Sequence, residues 1–221
     1  MNSKLRIGVL ASGGGTNLQS IIDGCRSGQI DVEIVTVLSN NPDAGALQRA
    51  AKADIAHQCI NHREFASRDD FDSAVVAALL DAKVELVVLA GFMRIIGQRF
   101  LDAFPGRIMN IHPALLPAFP GLHVQQKALD YGARFSGCTV HFVDGGVDTG
   151  PIILQAVVPI LEDDNEASLS ARILEQEHKI YPQAIQWFAK GAIRIDGRRV
   201  IIDNAQQAPD ALINPPLSPA S

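Results

Sequence analysis

A strand followed at once by three glycines, near the N-terminus, constrains the fold more than any other part of the chain. Residues 5–11 are a continuous apolar run, which is typical of a parallel strand covered on both faces. The glycine turn of residues 12–18 follows and leads into a helix, which we predict to begin at about Thr16 and to extend through Cys25. The capping-box spacing of Thr16 and Gln19 supports that start. This order predicts a parallel α/β sheet.

The glycine turn is also a candidate anion site. The free N–H groups and the positive dipole end of a helix start point into such a turn, and glycine lets a phosphate approach the backbone closely. The turn lacks the glycine spacing of the dinucleotide fingerprint and the lysine of the Walker loop. The alternative is a tight turn without a ligand. We favour the phosphate, because three successive glycines cost backbone entropy.

Strands and helices alternate in the first half of the chain. Further strands are predicted at residues 32–38, 55–60 and 85–90, with helices from about residue 44 and across residues 71–80. We therefore predict an α/β fold with a doubly wound, mostly parallel open sheet, whose ligands bind beyond the carboxyl ends of the strands. The C-terminal half adds an antiparallel hairpin, a long helix and a terminal hairpin, predicted at residues 135–160, 165–190 and 193–202.

Asn110 and His112 lie two residues apart in a short apolar strand that prolines end. Side chains at this spacing point to the same face of a strand, so an amide donor and an imidazole reach one spot. The amide suits stabilisation of an oxyanion and the imidazole suits proton transfer. An Asx-turn beside a packed histidine ring explains the pattern equally well. The glycine turn, the loop of residues 91–96 and this pair all follow strands, so we expect them to meet at one edge of the sheet.

Composition and charge narrow the class of protein. The apolar fraction of 47% and the charged fraction of 19% are those of a soluble globular protein, and no window is long and apolar enough to span a membrane. The net charge of −5, without a basic run, does not favour a nucleic-acid partner. The three cysteines are widely spaced and predict reduced thiols in the cytoplasm. We predict a single domain over residues 1–204 and a poorly ordered tail over residues 205–221, which is rich in Ala, Gln, Pro and Ser.

Several segments together resemble the phosphoribosylglycinamide formyltransferase family, the folate-dependent transformylases of purine synthesis. The resemblance covers residues 5–187. The matching segments are Ser12-Gly-Gly-Gly-Thr-Asn-Leu18, Leu89-Ala-Gly-Phe-Met-Arg94, Asn110-Ile-His-Pro113, Leu115-Leu-Pro117, Pro120-Gly-Leu-His123, Val140-His-Phe-Val143 and Asp148-Thr-Gly-Pro151. It implies the α/β fold argued above. It also implies transfer of the formyl group of 10-formyltetrahydrofolate to the glycyl amine of 5′-phosphoribosylglycinamide, which yields N-formylglycinamide ribonucleotide and tetrahydrofolate on the route to IMP.

The same resemblance implies a role for each site residue. His112 would be the proton donor, Asn110 would bind the formyl oxygen, and Asp148 would orient the imidazole and favour its protonated form. The implied ribonucleotide-binding residues are Gly15, Thr16, Asn17 and Glu177. Those for 10-formyltetrahydrofolate are Arg68, Met93, Arg94, Ile95, Ile96, Asn110 and Asp144. The folate is a co-substrate and no metal is implied. The partners would be small molecules, without nucleic acid or membrane, and a homodimer is left open.

Other enzymes that use formyltetrahydrofolate are the nearest alternatives. A tRNA formyltransferase should add a basic C-terminal domain, whereas this chain is acidic and ends soon after the core. A formyltetrahydrofolate hydrolase should carry an N-terminal regulatory domain, whereas the first strand here begins at Leu5. A sugar formyltransferase is a further alternative. A nucleotide-binding dehydrogenase or regulator on a similar sheet leaves Asn110, His112 and Asp148 unexplained.

Overall fold

The computed structural model describes residues 4–205, 212 and 214, which form one sheet and its flanking helices. The strands are β1 Leu5–Leu10, β2 Val32–Ser39, β3 His57–Cys59, β4 Leu86–Leu89, β5 Ile108–His112, β6 Phe135–Phe142, β7 Ile152–Pro159, β8 Ile193–Asp196 and β9 Arg199–Ile202. The helices are α1 Thr16–Ser27, α2 Gly45–Lys52, α3 Arg68–Asp81, α4 Gln98–Ala103, α5 Val124–Tyr131 and α6 Glu166–Ala189.

The strand order is β3-β2-β1-β4-β5-β6-β7-β9-β8. The chain runs outward from β1 to β3 and then returns to β4 on the other side of β1, and these strands and β5 are parallel. The direction of winding therefore changes between β1 and β4, and in open α/β sheets ligands bind beyond the carboxyl ends of the strands at such a point. Strands β6 and β7 form an antiparallel hairpin, as do β8 and β9. The predicted doubly wound, mostly parallel sheet with an antiparallel C-terminal half is confirmed.

Both faces of the sheet are buried, which explains the continuous apolar run of the first strand. Ile7 and Val9 pack into one core with α1 and α6, while Leu10 packs into a second core with α3 and α4. Tyr181 of α6 is fully buried against the first face. Its hydroxyl lies 2.9 Å from the carbonyl of Leu89 and 3.1 Å from that of Met109. This contact fixes α6 beneath the ends of β4 and β5.

Two local predictions differ from the structure, and one short helix was not predicted. Helix α1 begins at Thr16 as predicted, but the capping box is wrong: Gly15 is the N-cap, with φ of 73° and no side-chain cap. The Gln19 side chain bonds instead to Asp23 and Arg49. The third strand is shorter than predicted, because at this edge of the sheet only three of its residues pair with β2. Helix α4 was not predicted, since six residues are too few for a helical period to show.

Most of the predicted tail lies outside the described residues, so its disorder stays a prediction. Ala205, Leu212 and Asn214 are described, and the Asn214 amide donates to the carbonyls of Arg134 and Ile160 at 2.6 and 3.0 Å. In the part of the chain that the structure describes, no helix combines the length and the hydropathy needed to cross a bilayer.

Candidate active site

A cleft of about 780 Å³ opens beyond the ends of β4 and β5. Its walls are the loop of residues 91–96, the segment of residues 121–125 and the loop of residues 143–149. The predicted residues that line it are Arg68, Met93, Arg94, Ile95, Ile96, Asn110, His112, Asp144 and Asp148. Of the three segments that we expected to meet at one edge of the sheet, the loop of residues 91–96 and the Asn110–His112 pair both line the cleft. Gly15, Thr16, Asn17 and Glu177 do not line this cleft.

Strand pairing sets three polar side chains on one face of the sheet. Asn110 and His112 are two residues apart on β5 and therefore share a face. In the antiparallel pair of β5 and β6, Asn110 lies directly opposite His141, and residues in such a pair point to the same side. His112 and His141 are almost fully buried, while Asn110 is half-buried at the floor of the cleft.

His112 is held between two hydrogen-bond acceptors. Its Nε2 lies 2.9 Å from the carbonyl of Phe119, and its Nδ1 lies 3.3 Å from Oδ2 of Asp148. An imidazole with an acceptor at each nitrogen is fully satisfied only when both nitrogens carry a proton. The same Asp148 oxygen accepts the N–H of Gly121 at 2.9 Å, which fixes the carboxylate. The two acceptors therefore fix the orientation of the His112 ring at the edge of the cleft.

The loops that bring these acceptors to His112 are locally strained. Phe119 and Asp148 have φ of 52° and 54°, in the left-handed region that non-glycine residues seldom adopt. Such a conformation costs on the order of 1–3 kcal/mol, and it is concentrated at functional sites. An aspartate tolerates it better than most residues. The strain places a carbonyl and a carboxylate on opposite sides of one imidazole.

His141 has a part in this arrangement that sequence reasoning missed. Its Nδ1 donates to the carbonyl of Phe142 at 2.8 Å, so Nε2 carries the lone pair and accepts from Nδ2 of Asn110 at 3.1 Å. Burial lowers the pKa of His141, and the neutral ring is the form that accepts this bond. One amide proton of Asn110 is thereby fixed on His141, which leaves the other for a ligand. A histidine in an alternating strand was the one signal in the sequence, but its partner depends on the register of β5 and β6.

The outer part of the cleft is apolar. Four large apolar side chains on its walls are exposed: Met93, Ile95, Leu122 and Val147. Exposed apolar groups gathered around a concavity are typical of a ligand site. Two cations stand beside them, with the Arg94 guanidinium 5.8 Å from the centre of the Phe71 ring and Arg68 3.7 Å from the buried Asp72 carboxyl. Burial raises the pKa of Asp72. A flat ring system with an anionic tail fits such a surface.

Ser12 joins the glycine turn to the cleft. Its N–H donates to the carbonyl of Gly91 at 3.0 Å, and its hydroxyl oxygen accepts the N–H of Met93 at 2.8 Å. The hydroxyl in turn donates to Oδ1 of Asn40 at 2.6 Å. The turn after β1 and the loop after β4 are thus bonded together at two points. Sequence reasoning did not single out Ser12, because neither bond is local in sequence.

The structure brings Asn17 of the glycine turn to Glu177 of α6. Nδ2 of Asn17 donates to Oε2 of Glu177 at 2.7 Å, and both side chains are buried. Burial raises the pKa of Glu177, while the bond from Asn17 acts in the opposite direction. Oδ1 of Asn17 is buried without a hydrogen-bond partner among the described residues. Glu177, a charged residue among the buried apolar side chains of α6, thus lies beside an unused acceptor in the glycine turn.

Comparison with known proteins identifies a matching family and several similar sequences. The Formyl transferase family model matches residues 5–185. The phosphoribosylglycinamide formyltransferase of Escherichia coli is 42% identical over 205 residues, which are 93% of this chain and 97% of that protein. The trifunctional purine biosynthetic protein adenosine-3 of Drosophila melanogaster is 50% identical over 192 residues, but these are only 14% of its length.

A solved structure supports the same assignment. The crystal structure of glycinamide ribonucleotide transformylase 1 from Symbiobacterium toebii superposes with a TM-score of 0.90 and 52% sequence identity, covering 91% of this chain and 95% of that one. The family match includes the glycine turn, the cleft and Glu177. The chain therefore belongs to the formyl transferase family.

Proposed function

We propose that this protein transfers the formyl group of 10-formyltetrahydrofolate to the glycyl amine of 5′-phosphoribosylglycinamide, a step of purine biosynthesis. The observation that carries the proposal is His112 held between Phe119 and Asp148, with the Asn110 amide on the same face of the sheet. This is a proton donor beside an oxyanion donor at the floor of an apolar cleft. The names of the Escherichia coli and Symbiobacterium toebii relatives support formyl transfer to this ribonucleotide.

The cleft binds the folate, and the glycine turn binds the phosphate of the ribonucleotide. The pterin of the folate lies against residues 93–96 with its formyl group at Asn110, while Asp144 contacts the ring and Arg68 contacts the anionic tail. The ribonucleotide phosphate lies on the N–H groups of Gly15, Thr16 and Asn17. Glu177 and the unused Oδ1 of Asn17 are acceptors for sugar hydroxyls.

The reaction needs one addition and one elimination. The amine attacks the formyl carbon, a C–N bond forms, and the carbonyl oxygen becomes an oxyanion. The free N–H of Asn110 and the protonated ring of His112 stabilise that charge. The bond from the formyl carbon to the folate nitrogen then breaks. The proton lost by the amine reaches the departing nitrogen through His112 or through a water held by Asp148. No nucleophilic side chain takes part.

The proposal extends to the organisation and location of the protein. Residues 1–204 act as a single formyltransferase domain, and residues 205–221 are dispensable for the reaction. The location is the cytoplasm, a reducing compartment that suits the free thiols of Cys25, Cys59 and Cys138. The partners are the two small substrates.

Formyl transfer can be tested with the purified protein, 10-formyltetrahydrofolate and 5′-phosphoribosylglycinamide. We expect tetrahydrofolate and formylated ribonucleotide to accumulate together in equal amounts, and His112→Ala to abolish both. Omitting the ribonucleotide is the matched control. Deformylation at an unchanged rate without the ribonucleotide would identify a hydrolase instead. A formylated initiator aminoacyl-tRNA, without a formylated ribonucleotide, would identify a tRNA formyltransferase.

A further inference from the structure

Helix α2 holds the glycine turn by its carbonyl oxygens. The N–H of Ala46 donates to the carbonyl of Gly13 at 3.1 Å, and Nε of Arg49 donates to the carbonyl of Gly14 at 2.8 Å. In a trans peptide the C=O and the following N–H point in opposite directions. Tying these two carbonyls to α2 therefore aims the N–H groups of Gly14 and Gly15 away from the helix.

Those N–H groups are free to bind a ligand. Within the described residues, the N–H groups of Gly14, Gly15 and Thr16 donate to no protein acceptor, and Oδ1 of Asn17 in the same turn is buried and unpartnered. Helix α2 lies so close to the glycine turn that a Cβ on Gly15 would be 2.7 Å from the Cα of Ala46. The backbone of the turn therefore has little freedom to rearrange. The turn is thus fixed in a conformation that offers several donors to one anion.

Arg49 also brings a positive charge that its partners do not neutralise. Besides the Gly14 carbonyl, its guanidinium donates through Nη1 to Oε1 of Gln19 at 3.1 Å. Both acceptors are uncharged, and the side chain is half-buried. Burial, and after it the charge of Arg49, lower the pKa of His178 on α6, whereas Asp23 acts in the opposite direction. Arg49 of α2 thus lies close enough to α6 for its charge to act on His178.

We propose that Arg49 is a positioning residue for the phosphate of the ribonucleotide. Its guanidinium fixes the glycine turn with the N–H groups outward, and its charge adds to their positive potential. The proposal rests on the function proposed above only in requiring a ligand with a phosphate monoester. The planar guanidinium of Arg49 donates to the Gly14 carbonyl and to the Gln19 amide oxygen at the same time. A lysine ammonium does not reproduce this geometry.

The test compares Arg49→Met and Arg49→Lys with Lys52→Met, which removes a charge from the exposed last turn of the same helix. Arg49→Met should raise both the Kd for ribose 5-phosphate and the KM for the ribonucleotide about tenfold or more, equivalent to about 1.4 kcal/mol. The kcat at saturation and the KM for the formyl donor should change less than about twofold. The Kd and KM of Arg49→Lys should lie between those of Arg49→Met and the wild type. Those of Lys52→Met should match the wild type.

The dependence of ribose 5-phosphate binding on salt gives a second measurement. It should be weaker in Arg49→Met than in the wild type, because one screened charge interaction is gone. Binding of ribose 5-phosphate requires neither the folate nor formyl transfer. This experiment therefore tests the role of Arg49 even if the enzyme formylates a different amine.

Two results would overturn the role of Arg49: equal losses for ribose 5-phosphate and folate, or an Arg49→Met variant that behaves like Lys52→Met. Thermal melting checks the fold of each variant. If Arg49→Met does not fold, the binding of ribose 5-phosphate to Arg49→Lys tests the proposal instead. Selectively weaker phosphate binding in that variant supports the proposal, and unchanged binding rejects it.

Discussion

The cleft beyond β4 and β5 and the glycine turn are joined through Ser12 but present different kinds of groups. The cleft presents side chains that hold one another, with Asn110 on His141 and His112 on Asp148. The turn presents backbone N–H groups, held from behind by α2. Proton transfer needs a group that titrates, whereas binding a phosphate needs only oriented positive dipoles. Substitutions in the cleft should therefore change kcat, and substitutions in the turn should change the KM for the ribonucleotide.

The largest effect should come from the His112–Asp148 pair. Asp148→Asn keeps the shape of the side chain but replaces the carboxylate that faces Nδ1 of His112 with a neutral amide. Turnover at saturating substrates should fall on the order of a hundredfold or more, and His112→Ala should fall at least as far. The double variant should be hardly worse than the more damaging single one, because the two groups act as a unit. A double loss equal to the product of the single losses would show that they act independently.

Asn110 and His141 should behave as a second coupled pair, with unequal members. Asn110→Ala removes an oxyanion donor and should lower kcat about a hundredfold. His141→Ala leaves the amide in place but frees its orientation, so we expect a loss of about tenfold. Adding His141→Ala to Asn110→Ala should then change little. Equal further losses in both backgrounds would mean that His141 acts by another route. Circular dichroism should check that each variant is folded.

The glycine turn should show the opposite kinetic pattern. Gly15→Val places a branched side chain at φ of 73° against Ala46, so the turn must rearrange and ribonucleotide binding should weaken about tenfold or more. Gly13→Ala is the matched control, because its Cβ would meet nothing within 4 Å. Separate titrations with ribonucleotide and with folate measure the two affinities. The distinction between the turn and the cleft fails if Gly15→Val weakens both ligands equally.

Sequence reasoning found what local signals specify. The order of β1, turn and α1 follows from an apolar run and three glycines, and the pairing of Asn110 with His112 on one face follows from strand geometry. The bonds of Ser12 and the part of His141 depend on which strands become neighbours, and no local pattern carries that information. The capping box failed because Gly15 turns into the left-handed region, where the backbone rather than Thr16 determines the helix start.

The buried His141 should also leave a pH signature in stability. Its pKa is lowered in the folded protein, so on acidification the unfolded chain takes up this proton first. The stability it contributes is fully present above the unfolded value of about 6.5 and is lost as the pH falls below it. Urea titrations at pH 7.5 and 5.5 should show a smaller acid loss for His141→Gln than for the wild type. Identical losses would mean that His141 does not contribute.

The smallest effect should come from deleting residues 205–221, because none of the described residues of this segment lines the cleft. The loss includes the two hydrogen bonds of Asn214, each worth about 0.5–1.5 kcal/mol at most. The melting temperature should fall by only a few degrees, at about 2–4 °C per kcal/mol for a domain of this size. Both KM values and kcat should be unchanged. A large drop in turnover would contradict the proposal that residues 1–204 are sufficient.

The bond between Asn17 and Glu177 joins residues 160 positions apart. The glycine turn is therefore synthesised well before α6, the helix that carries its carboxylate partner. A nascent chain can form β1 and α1 before α6 is made, yet it cannot complete the proposed ribonucleotide site until α6 packs across the sheet. Ribonucleotide affinity thus reports the completion of folding, and a ligand that bridges the first turn and α6 should slow the local detachment of that helix.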